Sequence, residues 1–229
     1  MALTDNIVAY WKLDGNSSDS VGSYNGTDTG ISYSTSYGKI NQGASYTTAS
    51  SSRISTTYTT TQNQSWSFWI KTSTQQLQGI MGSVSTANYD DRVCWMDSTG
   101  KIRATTSTIN GHVPVVSPTS LADGNWHHIV LLFSGTSTIN TKLYIDGTLA
   151  NQSTYTGPYA AGNRDFSIGF ARGYNINNNW TAYYYNGYID EVGIWNRLIT
   201  ETEITQLYNS GAGFQYPFST IKPNLLAFT

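Results

Sequence analysis

The feature that most constrains the fold is the stretch 184–213, YYNGYIDEVGIWNRLITETEITQLYNSGAG. Residues 188–195 read as a strand, with Val192 and Ile194 alternating as they would against a second layer. A turn at Asn196–Arg197 leads to a helix with a legible start: Thr200 as N-cap and Glu203 three residues on complete a capping box. Ile204, Leu207 and Tyr208 then form one apolar stripe, and Gly211 supplies the stop. A single short amphipathic helix cannot bury its stripe alone, so it requires a preformed body to lie on.

That body is all-β. Ile7, Ala9, Trp11 and Leu13 alternate up to a turn at Asp14-Gly15-Asn16. In SWSFWIK, residues 65–71, Trp66, Phe68 and Ile70 point one way and Ser67, Trp69 and Lys71 the other. WHHIVLLFS, residues 126–134, is nearly continuous in apolar residues, as suits a central strand. Residues 142–151 form a hairpin whose Asp146-Gly147 pair suits a type I′ turn. Many short strands separated by turns, with one late helix, predict a two-sheet antiparallel β-sandwich. The 229 residues show no Pro-rich or charged linker. We therefore expect one domain over residues 1–213 and an extended tail over 214–229.

Composition narrows the function. Charged residues make up 11% and the formal net charge is −2 without a basic run, which argues against nucleic-acid or anionic-membrane partners. The one cysteine, Cys94, excludes an intrachain disulfide framework. The start lacks the basic and long apolar regions of a signal peptide, and no apolar run is long enough to span a bilayer. The chain is therefore expected to work where it is made, or to leave by lysis, by assembly onto a virion surface, or as part of a longer chain.

IVAYWKLDGN at 7–16, SWSFWIK at 65–71, DGNWHHIVLLFSG at 123–135, KLYIDGTL at 142–149, FSIG at 166–169 and NGYIDEVGIWNRLITETEITQLYNSG at 186–211 follow one ordered pattern. It resembles the laminin-G-like jelly rolls of the concanavalin A-like lectin and glucanase superfamily. The resemblance implies two curved antiparallel sheets, often a structural calcium ion, and service as a binding or adhesion module. Similar domains also occur in bacteriophage structural proteins.

The glucanases of that superfamily need two carboxylates facing one cleft. The strand-borne acids here, Asp190 and Glu191, are adjacent, and neighbours in a regular strand point to opposite faces. His127 and His128 diverge for the same reason, which leaves one packed inward and the other solvated. Catalysis is therefore not expected. For calcium, Asp14, Asn16 and Asp19 place three oxygen-bearing side chains on one loop, which suits a hard cation. The resemblance brings the late Ile-Asp-Glu strand near that loop, so that Asp190 would share the ion. The alternative is that these residues make turns and bond backbone amides.

For sugar, the loop 173–187 offers stacking rings and planar amides, and its strongest candidates are Tyr174, Asn178, Trp180 and Tyr184. Trp69, opposite the Trp66/Phe68/Ile70 face, is a further candidate. Two readings result. One is a noncatalytic carbohydrate-binding or adhesion module whose partners are glycans or a glycosylated surface. The other is a structural assembly protein of a virus particle, such as a capsid decoration or tail fibre component. In the second, Leu225, Leu226 and Phe228 of the tail would dock onto other virion proteins.

Overall fold

A computed structural model describes residues 2–84, 92–106, 113–157, 165–174 and 180–218. In chain order the first strands are β1 (Ile7–Trp11), β2 (Thr27–Thr29), β3 (Ser32–Ser34), β4 (Gly43–Tyr46), β5 (Arg53–Thr56) and β6 (Gln64–Lys71). The middle of the chain gives β7 (Gln78–Val84), β8 (Arg92–Met96), β9 (Ile102–Thr106), β10 (Val115–Val116), β11 (Trp126–Ser134) and β12 (Thr138–Ile145). The last are β13 (Thr148–Thr156), β14 (Asp165–Ile168), β15 (Phe170–Tyr174), β16 (Trp180–Tyr184) and β17 (Gly187–Trp195), followed by helix α1 (Glu201–Tyr208).

The strands form two antiparallel layers, as the alternation predicts. One sheet runs β13-β12-β11-β6-β17-β4-β3, with β1 also paired to β17; the other runs β10-β9-β8-β7-β14-β5-β2. Between them Trp66, Phe68, Ile70, Ile129, Leu131 and Phe133 of the first sheet meet Ile54, Ile80, Met81, Ile102, Phe166 and Ile168 of the second. Trp66 anchors this core, edge-on to Phe133 at 4.9 Å and to Phe166 at 5.1 Å. Cys94 is buried there, and burial pushes its thiol pKa up, so it is an inert core residue. The Asp146-Gly147 turn has φ of 50° and 79°, the positive pair that a type I′ turn requires.

The outer face of the first sheet carries a second apolar cluster, in which Ile199, Ile204 and Leu207 cover Val130, Leu132 and Trp195. The helix sits close because serines lie beneath it. Ser65 Oγ donates to Arg197 O at 2.7 Å and accepts from Ile199 N at 3.0 Å, while Ser67 Oγ meets His128 Nε2 at 2.9 Å. The capping box forms as the sequence predicts. The stop does not fall at Gly211: Asn209 takes the left-handed cap at φ 48°, because its amide can satisfy a local carbonyl, and donates to Gly213 O at 2.9 Å.

Residues 214–218, read from the sequence as the start of an extended tail, fold back on the sandwich. Tyr216 and Phe218 lie against Tyr10 at 5.7 and 5.4 Å, and Phe218 stacks on Trp195 at 6.3 Å. Apolar rings beside an exposed part of the sheet gain more by covering it than by extending into water. Leu225, Leu226 and Phe228 lie outside the described residues.

Candidate functional site

β17 organises the molecule because one of its edges is shared. Residues Gly187–Ile189 pair with β4, whereas Val192–Trp195 pair with β1. Between the two partners lies a bulge, with Glu191 at φ 54°. Ile189 and Val192 both point into the interlayer core, so the bulge turns Asp190 and Glu191 outward together. This corrects the opposite-face expectation, which assumed a regular strand.

Both carboxylates are buried at this seam and hold the chain together. Asp190 Oδ2 accepts from Lys39 N at 2.7 Å and Ile40 N at 3.0 Å. Glu191 Oε2 accepts from Tyr10 Oη at 2.5 Å, and its Oε1 from Gln215 Nε2 at 2.5 Å. The same Gln215 nitrogen donates to Asp14 Oδ2 at 2.9 Å, while Asp14 Oδ1 accepts from Gln42 N at 2.9 Å. Burial and the Glu191 charge push Asp190 up to about 9, against the pull of the loop amides. Burial likewise lifts Glu191 to about 7, with Tyr10 and Gln215 opposing it and Asp14 adding to it.

The four residues read as calcium ligands do not converge on one point. Asp19 is taken up by backbone, accepting from Tyr10 N at 2.9 Å, Val21 N at 3.0 Å and Tyr24 N at 3.1 Å. Asn16 Oδ1 accepts from Ser18 N at 2.9 Å in a local turn. Asp190 faces the loop at 39–40. Of the four, Asp14 alone reaches another carboxylate directly through one donor, and that partner is Glu191, which the sequence reading passed over. Among the described residues no group of three or more His, Cys, Asp or Glu side chains could hold a metal ion.

The histidines also part as expected, although both are held. His128 is buried, packed on Trp69 at 5.0 Å, and its pKa falls to about 3 because burial opposes the cation. His127 lies between Asp146, 2.9 Å from Nδ1, and Asp123, 3.1 Å from Nε2. It is therefore a tethered residue rather than a solvated one.

The sugar candidates separate in the same way. Trp69 is 3% exposed, because Tyr208 stacks on it at 5.9 Å and Lys39 Nζ lies 4.6 Å from its ring centre. The helix, the His128 ring and the loop at 39 together bury it, so Trp69 offers no sugar platform. This is a correction: a ring on the face away from the core was exposed only in the absence of the helix. Tyr184 lies on the β15–β16 hairpin, opposite Phe170 and 5.0 Å from its ring. Tyr174 and Trp180 pair across that hairpin, but their side chains, like Asn178, lie outside the described residues.

A groove not foreseen from the sequence opens on the outer face of the first sheet, beyond the end of α1. Its volume is about 570 Å³. Pairing aligns Trp126 with Lys71, Lys71 with Tyr188, and Tyr188 with Ser45, so one row crosses β11, β6, β17 and β4. Lys71, Tyr188 and Ser45 line the groove together with Ser36, Thr47, Ser73 and Asn186. Tyr37 stacks on Tyr188 at 4.9 Å and Trp126 flanks it at 6.5 Å, each ring remaining half-buried. Asn186 is fixed by Gln78 Oε1, 2.9 Å from its N, and by Thr74 Oγ1, 3.0 Å from Nδ2. A sequence signal was present in Lys71, the cation that ends a strand of otherwise uncharged residues. The aromatic partners come from other strands and were not legible as neighbours.

Among the solved structures that share this architecture, three illustrate the likeness. Domain 4 of AbnA, an extracellular GH43 arabinanase from Geobacillus stearothermophilus solved with arabinotriose, is 19% identical. The match covers 91% of this chain and 98% of that one, with a TM-score of 0.67. The binding domain of Paraclostridial Mosquitocidal Protein 1 gives 0.69 at 16% identity, covering 92% of this chain and 53% of that one. The binding domain of botulinum neurotoxin DC in complex with SialylT gives 0.66 at 15% identity, covering 91% and 52%. The chain thus spans about half the length of the toxin domains, and at these identities the likeness is one of fold. A sequence comparison with curated proteins finds no match. The family model of the laminin-G type, described as the concanavalin A-like lectin/glucanases superfamily, matches residues 41–205, and the chain belongs to that superfamily.

Proposed function

We propose that this chain is a noncatalytic carbohydrate-binding module and that the groove over Lys71 and Tyr188 is its ligand site. The observation that carries this reading is the groove's chemistry. The half-buried ring of Tyr188 lines it beside hydroxyls at Ser36, Ser45, Thr47 and Ser73 and an oriented amide at Asn186, and the rings of Tyr37 and Trp126 pack against Tyr188 from outside the lining. Pyranose rings present apolar C–H faces and polar edges, and this mixture matches both. The architecture agrees, since the arabinanase domain carries arabinotriose and the toxin domains are named for binding. Hydrolysis lacks equivalent support: Asp190 and Glu191, 0% and 3% exposed, are spent on the seam, and neither lines the groove.

A structural calcium ion belongs to this reading as a further proposal. Of the residues at the seam, Asp14 and Glu191 fit it best, with the amide oxygens of Asn41 and Gln215 as neutral donors after rotation of their amides. The ion would supply the positive charge that Gln215 Nε2 partly supplies between the two carboxylates. Asn16, Asp19 and Asp190 have no part in it. For the assembly reading, the residues invoked lie outside the described ones, and no observation favours it.

The test is a glycan array probed with the wild-type chain, Ser45→Trp, which fills the groove from its floor, and Tyr188→Ala. We expect glycan binding that both variants lose while keeping a cooperative melt. A blank array from folded wild-type protein overturns the reading. Loss in Trp180→Ala with retention in both groove variants moves the site to the hairpin.

A further inference from the structure

The groove carries one charge among its described lining residues, and that charge is Lys71. The lysine lies at the centre of the row, with Trp126 on one side and Tyr188 on the other. Its aliphatic stem can therefore run along ring surface while the ammonium reaches the opening. Among the described residues no carboxylate pairs with it.

The acids on the bordering segments are committed elsewhere. Asp190, two positions along β17, holds the amides of Lys39 and Ile40. Asp123, beside the lining residue Gly124, accepts from Asn125 N at 2.9 Å and meets His127. The Ser45 and Ser73 hydroxyls and the Tyr188 phenol make no hydrogen bond among the described residues, which leaves neutral donors next to the cation. The chain as a whole is mildly acidic at −2, so its overall field does not gather anions. A preference for an anion must come from the groove itself.

Resting on the groove as the ligand site, we propose that it selects an acidic saccharide. The anionic group of the sugar pairs with Lys71 Nζ, and the ring lies against Tyr188 and Trp126. A uronate or sialic acid carboxylate and a sulfate ester share this chemistry, and separate array arms distinguish them.

The experiment measures wild-type chain, Lys71→Gln, Lys71→Arg and Ser45→Trp against neutral, uronate-containing, sialylated and sulfated glycans, with a melt for each protein. We expect binding confined to one or more anionic arms and weakened by added salt. Methyl esterification should remove binding to a carboxylate ligand. Lys71→Gln should lower affinity about tenfold, the value of one charge-assisted hydrogen bond, and Lys71→Arg should restore most of it. Equal binding of neutral and acidic glycans, or full affinity in Lys71→Gln, overturns the anion preference. If Ser45→Trp still abolishes binding in that case, the groove reading survives. A blank in every arm removes both.

Discussion

At the scale of single residues, the chain spends its few charges on holding backbone. Asp146 shows the pattern: Oδ1 accepts from His128 N at 2.9 Å while Oδ2 holds His127. His127 lies between two carboxylates, and the Asp146 hydrogen bond, with its charge and that of Asp123, raises the imidazole pKa against partial burial. The titratable groups facing it are thus Asp146 from the β12–β13 turn and Asp123 from the turn before β11. A raised folded value means that this stabilisation is complete below about pH 6.5 and is lost as pH rises through the folded value. We expect the melting temperature to fall over that window and His127→Gln to flatten the fall. For a partly exposed pair, the change should stay within about 1 kcal/mol. A wild-type profile matching that of His127→Gln would refute this account.

At the scale of elements, α1 has only eight residues and depends on its attachments. Glu203, 3% exposed, completes the capping box and pairs with Arg197 Nη2 at 2.5 Å and Nη1 at 2.8 Å. Arg197 also donates to Ala2 O and Asp5 O, so one ion pair ties the N-terminus to the helix start. Thr200→Ala should cost about 1 kcal/mol, the value of a cap. Glu203→Ala, which leaves the Arg197 guanidinium buried without its partner, should cost about 3–5 kcal/mol. Chemical denaturation of the two variants measures both. Equal losses would mean that the pair contributes no more than the cap. The helix signal was plain in the sequence because capping chemistry is local. That the helix would cover Trp69 was not, since nothing in SWSFWIK states which face a later element will take.

For the whole molecule, Gln215 closes a circuit: it joins Asp14 at the end of the first strand to Glu191 in the last, at the seam where the 39–42 loop is pinned. Removing it leaves the buried Glu191 Oε1 without a donor and Asp14 Oδ2 with Asn41 Nδ2 alone, at 3.3 Å. Gln215→Ala should destabilise the chain by about 1–3 kcal/mol. If the seam takes calcium, excess ion should raise the wild-type melting temperature over chelator, and Asp14→Asn should abolish the rise. Equal melts in calcium and chelator would assign closure to Gln215 alone.

The sequence by itself determined the elements: the alternating strands, the type I′ hairpin, the capped helix, the inert cysteine and the order that resembles the jelly roll. Apart from that order, which spans most of the chain, each of these depends on residues close together in sequence, where propensity and periodicity act directly. The tertiary structure alone decided the seam, the burial of Trp69 and the groove. A bulge at Glu191 overrode strand alternation, and register brought Trp126, Lys71, Tyr188 and Ser45 into one row from four separated strands. Such neighbours are set by pairing over long sequence distances, and no local pattern encodes which strand comes to lie beside which.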